Sequence, residues 1–129
     1  MISFELPNGP YYVGSELAGT LIWTPKNTKT PQAIRVILQW QTSGTGRWEE
    51  GQAGSELFSA PDPLVPGQAL RFPFRFRIPA QGPVSYQGKL LRINWRISGE
   101  VDLPWAVDER VQQDLEVLPR VLSQAELQG

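Results

Sequence analysis

Residues 83–105 read PVSYQGKLLRINWRISGEVDLPW. Between a Pro-x-Ser-Tyr-x-Gly opening and an Asp-x-Pro-Trp close, Leu91, Ile93, Trp95 and Ile97 alternate with Arg92, Asn94 and Arg96. Successive side chains of an extended chain point to opposite faces, so this alternation marks a strand buried on one side and wet on the other. Pro104 has no N–H to give to a ladder and ends the strand. Trp105 then caps one end of the core, and Tyr86 is expected to bury its ring with its hydroxyl satisfied. A one-sided strand needs partners of the same kind, and the rest of the chain supplies them.

Upstream, Leu70, Phe72, Phe74, Phe76 and Ile78 alternate with Arg71, Pro73, Arg75 and Arg77. Pro73 cannot donate a ladder hydrogen bond, which predicts an edge strand or a bulge. Ile34, Val36, Leu38 and Trp40 line one face of a strand over 33–42, and Ile37 interrupts the polar row of Arg35, Gln39 and Gln41. Leu17, Gly19, Leu21 and Trp23 repeat the pattern, as do Ile2, Phe4 and Leu6 in a short first strand. A last strand is predicted over 110–118, with Val111, Leu115 and Val117 inward. The stretches 8–15, 25–32 and 61–68 are rich in Gly, Pro and Asn and read as turns. SGTGRWEEGQAGSE at 43–56 reads as a hairpin or a long mobile loop, and the tail PRVLSQAELQG as one helical turn or a frayed end. About seven to eight strands, apolar on one face, make an all-β, two-sheet antiparallel β-sandwich of immunoglobulin-like kind.

The composition narrows the chemistry. With 129 residues the chain fits one domain with a sizeable core. It has no cysteine and no histidine. That excludes disulfides, thiolate nucleophiles, Cys/His zinc sites and Ser-His-Asp triads. Twelve basic against 13 acidic residues leave a net charge of −1, so no global field draws the chain to nucleic acid. Glu49-Glu50 and Asp108-Glu109 are neighbours in sequence, and neighbours on a strand point apart, so neither pair converges as a glycosidase or calcium site would require. SGTGR at 43–47 precedes no helix and is no phosphate loop. No enzyme, metal or cofactor is expected. MISFELPNG lacks a basic and an apolar signal region, and no apolar run reaches the ~18 residues of a membrane span, so a cytoplasmic setting without membrane insertion is expected.

The stretch 83–105 resembles the hallmark strand of arrestin-like domains, through Pro83, Ser85, Tyr86 and Gly88, then Asp102, Pro104 and Trp105. VGSELAGTL is similar to that family's Pro-Gly-Glu-x-Val-x-Gly segment at Gly14, Glu16, Leu17 and Gly19, and ALRFPFRFRIP to its Phe-x-Phe-x-x-Pro strand. Each motif alone is weak, and their order and spacing carry the resemblance. It implies one arrestin-like β-sandwich of N-terminal type over residues 1–118, with a C-terminal tail at 119–129. It also implies a scaffold or trafficking-type adaptor. Arrestins proper have two sandwiches and a phosphate-sensing charged cluster between them. This chain supplies one, and Ile2–Leu6 carries no lysine, so phosphoreceptor recognition is not carried over.

The candidate partner-binding residues are Trp48, Arg71, Arg75 and Arg77. Tryptophan is enriched in binding hot spots, and Trp48 is the aromatic the strand pattern explains least; it is equally placed to fold back over a sheet. The arginines face outward as an anion-binding stripe, unless Asp114, Glu116, Glu100 and Asp102 neutralise them across strands. Two functions follow. One is a protein-interaction module working through sheet edges or loops, for which a homodimer is one outcome. The other is a ligand-binding sandwich, for carbohydrate above all, using exposed aromatics.

Overall fold

The computed structural model describes residues 1–44, 49–81, 83–87 and 91–119. Two antiparallel sheets carry the fold. The smaller has three strands in the order β1 (Ile2–Glu5), β3 (Glu16–Trp23), β6 (Leu70–Arg77). The larger runs β5 (Glu49–Phe58), β4 (Ala33–Gly44), β8 (Leu91–Asp102). Along the far side of β8 lie two strands in line: β7 (Tyr86–Gln87) against Ile93 and Arg92, and β9 (Glu109–Leu115) against Val101 to Trp95. A parallel two-residue pair, β2 (Tyr11–Tyr12) with β10 (Val117–Leu118), ties the strand after β9 beside the segment between β1 and β3. Seven of these strands have four residues or more, in keeping with the seven or eight expected.

Period-two alternation decides which side each strand buries. In β6 Phe72, Phe74 and Phe76 are buried while Arg71, Pro73, Arg75 and Arg77 are exposed. Leu17, Leu21 and Trp23 of β3 join them. Facing them are Ile34, Val36 and Leu38 of β4 and Trp95, Ile97 and Val101 of β8, all in one cluster. No polar or charged side chain is buried among the described residues. Aromatic contacts mark the closure: the Phe58 and Phe72 rings lie 5.5 Å apart across the two sheets, and Phe4 meets Phe74 edge-on at 5.8 Å. Trp95 is wholly buried and Trp40 half-buried against the same core, so both are inward as the alternation predicts. Pro73 lies on an edge strand, where a missing donor breaks no ladder on the outer side.

The hallmark stretch works as a clasp. Trp95 donates its indole N–H to the Pro83 carbonyl at 2.8 Å. The Ser85 hydroxyl donates to Leu115 O at 3.3 Å and accepts from the Val117 N–H at 2.8 Å, while the Ser85 N–H donates to Val117 O at 2.7 Å. Ser85 thus occupies the point where the final strand changes partners. The expected continuous strand over 110–118 is therefore two: β9 pairs with β8, and past Glu116 β10 pairs with β2. Because Ser85 turns toward that junction, Tyr86 turns the other way and is 52% exposed, against the expectation that its ring is buried. Gly88, the motif's last position, and the tail from residue 120 lie outside the described residues.

Of the two readings of 43–56, the described residues 49–56 take the hairpin and not the loop. They form most of β5, a strand hairpinned to β4 with a register shift between Leu38 and Gln39. Gly51 lies directly beneath the Trp40 ring, and a Cβ at Gly54 would come within 2.7 Å of Phe76 Cδ1. The neighbours supply the apolar surface that β5 lacks. In the turn before β3 Gly14 takes φ +79°, and within β3 a Cβ on Gly19 would meet Phe74 Cζ at 2.8 Å, so one glycine serves a tight turn and the other a close approach.

Candidate partner-binding surface

The outer face of the smaller sheet is built by the odd half of the same alternation. Strand β3 contributes only small residues at its middle, Ala18 and Thr20, with Pro73 and Arg75 on β6 and Glu5 and Pro7 on the β1 side. Pro7 follows the last ladder pair, Glu5 with Thr20, so from Glu16 to Gly19 strand β3 has no ladder partner on that side among the described residues. The result is an open trough of about 710 Å³ along β3, floored by Ala18, Gly19 and Thr20. Both flanking strands, β1 and β6, are sheet edges among the described residues, as is β5 in the other sheet.

Arg71, Arg75 and Arg77 stand on this face, as the sequence predicts, at the outward positions of β6, with Pro73 between the first two. They do not form a bare cationic stripe. Arg71 Nη2 lies 2.6 Å from Glu5 Oε2, and Arg75 Nε lies 3.3 Å from Glu16 Oε1. Arg77 sits opposite Glu16 in register and has no ion pair with any described residue. Of the carboxylates expected to neutralise arginines, Asp114 pairs with Arg96 at 3.2 Å and Glu100 with Arg110 at 3.7 Å. The stripe on β6 is instead neutralised by its own sheet. Each such exposed pair contributes only ~0–1 kcal/mol and exchanges readily for a partner's carboxylate. Trp48 lies outside the described residues. Ala18, Thr20 and Pro7 were not singled out by sequence reasoning; the available signal was a run of small residues at the outward positions of ELAGTLIW.

The larger sheet's outer face is polar. Hollows of about 230 and 210 Å³ are bordered by Arg35, Gln39, Arg96 and Arg110, and the Ser98 hydroxyl oxygen beside them is the one hidden side-chain polar atom left unpaired among the described residues. Among the described residues no group of three or more acidic side chains converges as a cation site. Among the described residues, Glu109 is the carboxylate held off its ordinary range. Burial works against its charged form, but the N-terminal amine at 2.7 Å, the Trp23 indole N–H at 2.7 Å and the charge of Lys26 outweigh it and hold its carboxyl below the usual range. Glu109 thereby ties the start of β1 and the end of β3 to β9. Tyr86 is the one exposed aromatic ring among the described residues, so no flat aromatic platform for a sugar is formed there.

The family description "Arrestin (or S-antigen), N-terminal domain" matches residues 59–123. Among solved structures the fold is similar to that of Spo0M, a sporulation control protein from Bacillus subtilis, with a TM-score of 0.73 at 17% identity over 90% of this chain. This chain spans about half of that one, 48% of its length. No curated protein matches.

Proposed function

This chain belongs to the family of arrestin N-terminal domains, and from that premise we propose that it is a non-enzymatic adaptor module that binds an extended segment of a partner protein along the smaller sheet. Domains of this fold generally serve protein interaction or trafficking adaptation. Residues 1–118 act as one such domain in this reading, with 119–129 as its tail. The observation that carries it is the trough over Ala18, Gly19 and Thr20, flanked by two strands that are sheet edges among the described residues. A bare edge offers backbone N–H and C=O groups to an added strand, while a hollow beside it accepts alternate side chains. Arg71, Arg75 and Arg77 give the rim a choice of partners, because two of them exchange an existing carboxylate and the third has none among the described residues.

Proximity capture in the native cell tests this with three forms of the chain. Ala18→Arg fills the trough from an exposed position, and Gln41→Arg places the same side chain on the other sheet. Partners retained by wild type and Gln41→Arg but lost with Ala18→Arg support the proposal. An identical partner set for all three would refute it.

A further inference from the structure

Strands β3 and β8 end, and β4, β6 and β9 begin, at the same end of the sandwich. Three loops, 24–32, 59–69 and 103–108, therefore gather there. Gly67 N–H donates to Pro25 O at 3.0 Å and Gln32 N–H to Asp102 O at 2.9 Å, fixing the loops against one another. On their tips stand bare apolar side chains. Val107 is 89% exposed, Val65 54% and the adjoining Met1 79%, which places at this end three of the five large apolar residues exposed among the described residues. Trp105 lies half-buried beneath, with Lys29 Nζ 5.7 Å from its ring centroid. Trp23, Pro25, Leu103, Trp105 and Val107 line a cleft of about 220 Å³ between the loops.

The charges are sorted by depth. Lys26 and Lys29, two of the chain's three lysines, are exposed on loop 24–32. The carboxylates turn inward. The Glu109 side chain is 19% exposed and bonds the Trp23 indole, and Asp108 is 28% exposed, accepting from the Leu103 N–H and facing Arg110. Asp102 is half-buried, and Asp62 is the exposed carboxylate of these loops. Apolar tips on separate loops, with two outward lysines on loop 24–32 beside them and a half-buried tryptophan beneath, do not form the shaped groove that a folded partner would fill. They match a surface that adapts to each tip, apolar a few ångströms deep and anionic at its boundary.

We propose that this end of the sandwich docks peripherally on an anionic lipid bilayer, with Val65 and Val107 entering the interface and Lys26 and Lys29 meeting the headgroups. No spanning segment is needed, and among the described residues no helix is long and apolar enough to cross a membrane. The surface is distinct from the trough, so a chain docked this way would keep its smaller sheet free for a partner.

Vesicle flotation of the full chain decides it, with phosphatidylcholine vesicles lacking or containing phosphatidylserine, at low and physiological salt. Wild type should float with the anionic vesicles and progressively less as salt rises. The double variant Lys26→Glu, Lys29→Glu should lower binding by about tenfold or more, since each lysine near an anionic leaflet contributes appreciably. Val107→Asp should lower it similarly, and Leu57→Asp, an exposed site outside these loops, should not. Thermal melts confirm that each variant folds, as all these positions are exposed. Absence of flotation at low salt, or equal losses from Leu57→Asp and Val107→Asp, would overturn the proposal. So would self-association in ultracentrifugation that Val107→Asp abolishes without any lipid binding by wild type, which would assign this end to a second copy. Ala18→Arg should float normally, which keeps the test independent of the trough.

Discussion

Replacing Trp95 tests the core and the clasp together. Its side chain is wholly buried on β8, opposite Trp40 and Leu115 in register, and its indole N–H satisfies the Pro83 carbonyl at 2.8 Å. Trp95→Ala removes the largest fully buried side chain of the larger sheet among the described residues, a truncation that costs about 3–5 kcal/mol. The lost donor adds to this, toward the lower end of ~1–3 kcal/mol because Pro83 is only half-buried and water reaches it. Against a typical domain stability of roughly 5–15 kcal/mol, the variant should sit close to unfolding and melt on the order of 10–20 °C lower. Trp95→Phe separates the two effects: most of the ring remains, the donor does not, and the expected loss is about 1–3 kcal/mol. Equilibrium urea unfolding followed by far-ultraviolet circular dichroism measures both, with outward Gln41→Ala as a control expected within ~0.5 kcal/mol. A Trp95→Ala variant within about 1 kcal/mol of wild type would refute the inward assignment of β8.

Ser85→Ala should cost about 1–2 kcal/mol, since its hydroxyl serves both Leu115 O and the Val117 N–H; hydrogen exchange should quicken at Val117 first, and unchanged protection there would contradict the clasp. Gly51→Val must displace the Trp40 ring that lies on it, at ~1–3 kcal/mol; a crystal structure with Trp40 unmoved would rule this out. Glu109 is held below the usual carboxylate range, so its contribution is present above the unfolded value of 4.5 and is lost as pH falls through the lower folded value. Melting temperature against pH should therefore fall on that acid limb in wild type and fall less in Glu109→Gln; parallel curves would show that the carboxylate does not matter. Titration with single-stranded and duplex oligonucleotides at low salt should show no saturable micromolar binding, because paired arginines and a net charge of −1 release few counterions; tight, steeply salt-dependent binding would restore the arginine stripe as a nucleic-acid surface.

The strands that were legible are those whose own residues carry the apolar side. Strands β3, β4, β6 and β8 bury Leu17, Val36, Phe74 and Ile97 in strict alternation, and the two-sheet architecture follows from them. Strand β5 was legible only as one of two alternatives, hairpin or loop, because its apolar cover comes from elsewhere: EEGQAGSE looks polar, yet Trp40 and Phe76 lie across Gly51 and Gly54. The division of β9 from β10 was hidden for a different reason. Leu115 and Val117 keep the same parity through the break, so a change of hydrogen-bonding neighbour leaves no trace in the hydrophobic pattern. Tyr86 was misplaced because its motif implied a core aromatic, whereas the inward position belongs to Ser85. At the candidate site the arginines were visible in sequence, but their neutralisation required knowing that β3 lies between Glu5 and Arg71.

That neutralisation shapes how the smaller sheet can recognise a partner. A bare row of three cations would attract any polyanion at long range, with affinity set by salt. Here Glu5 and Glu16 cancel two of the three charges, while their pairs are exposed enough to exchange at little cost. The long-range field is weak and the short-range choice is kept. If a partner binds as proposed, most of the binding free energy would come from backbone pairing at an open edge and from side chains seated over Ala18 and Thr20. In the proposed binding mode the arginines would discriminate among the segments that fit, favouring those with a carboxylate within reach of Arg71, Arg75 or Arg77. Pro73 adds a constraint of the same kind, because it removes one donor from the outer side of β6 and so disfavours indiscriminate strand addition along that edge. The half-uncovered stretch of β3 from Glu16 to Gly19, which contains no proline, is left as the better template.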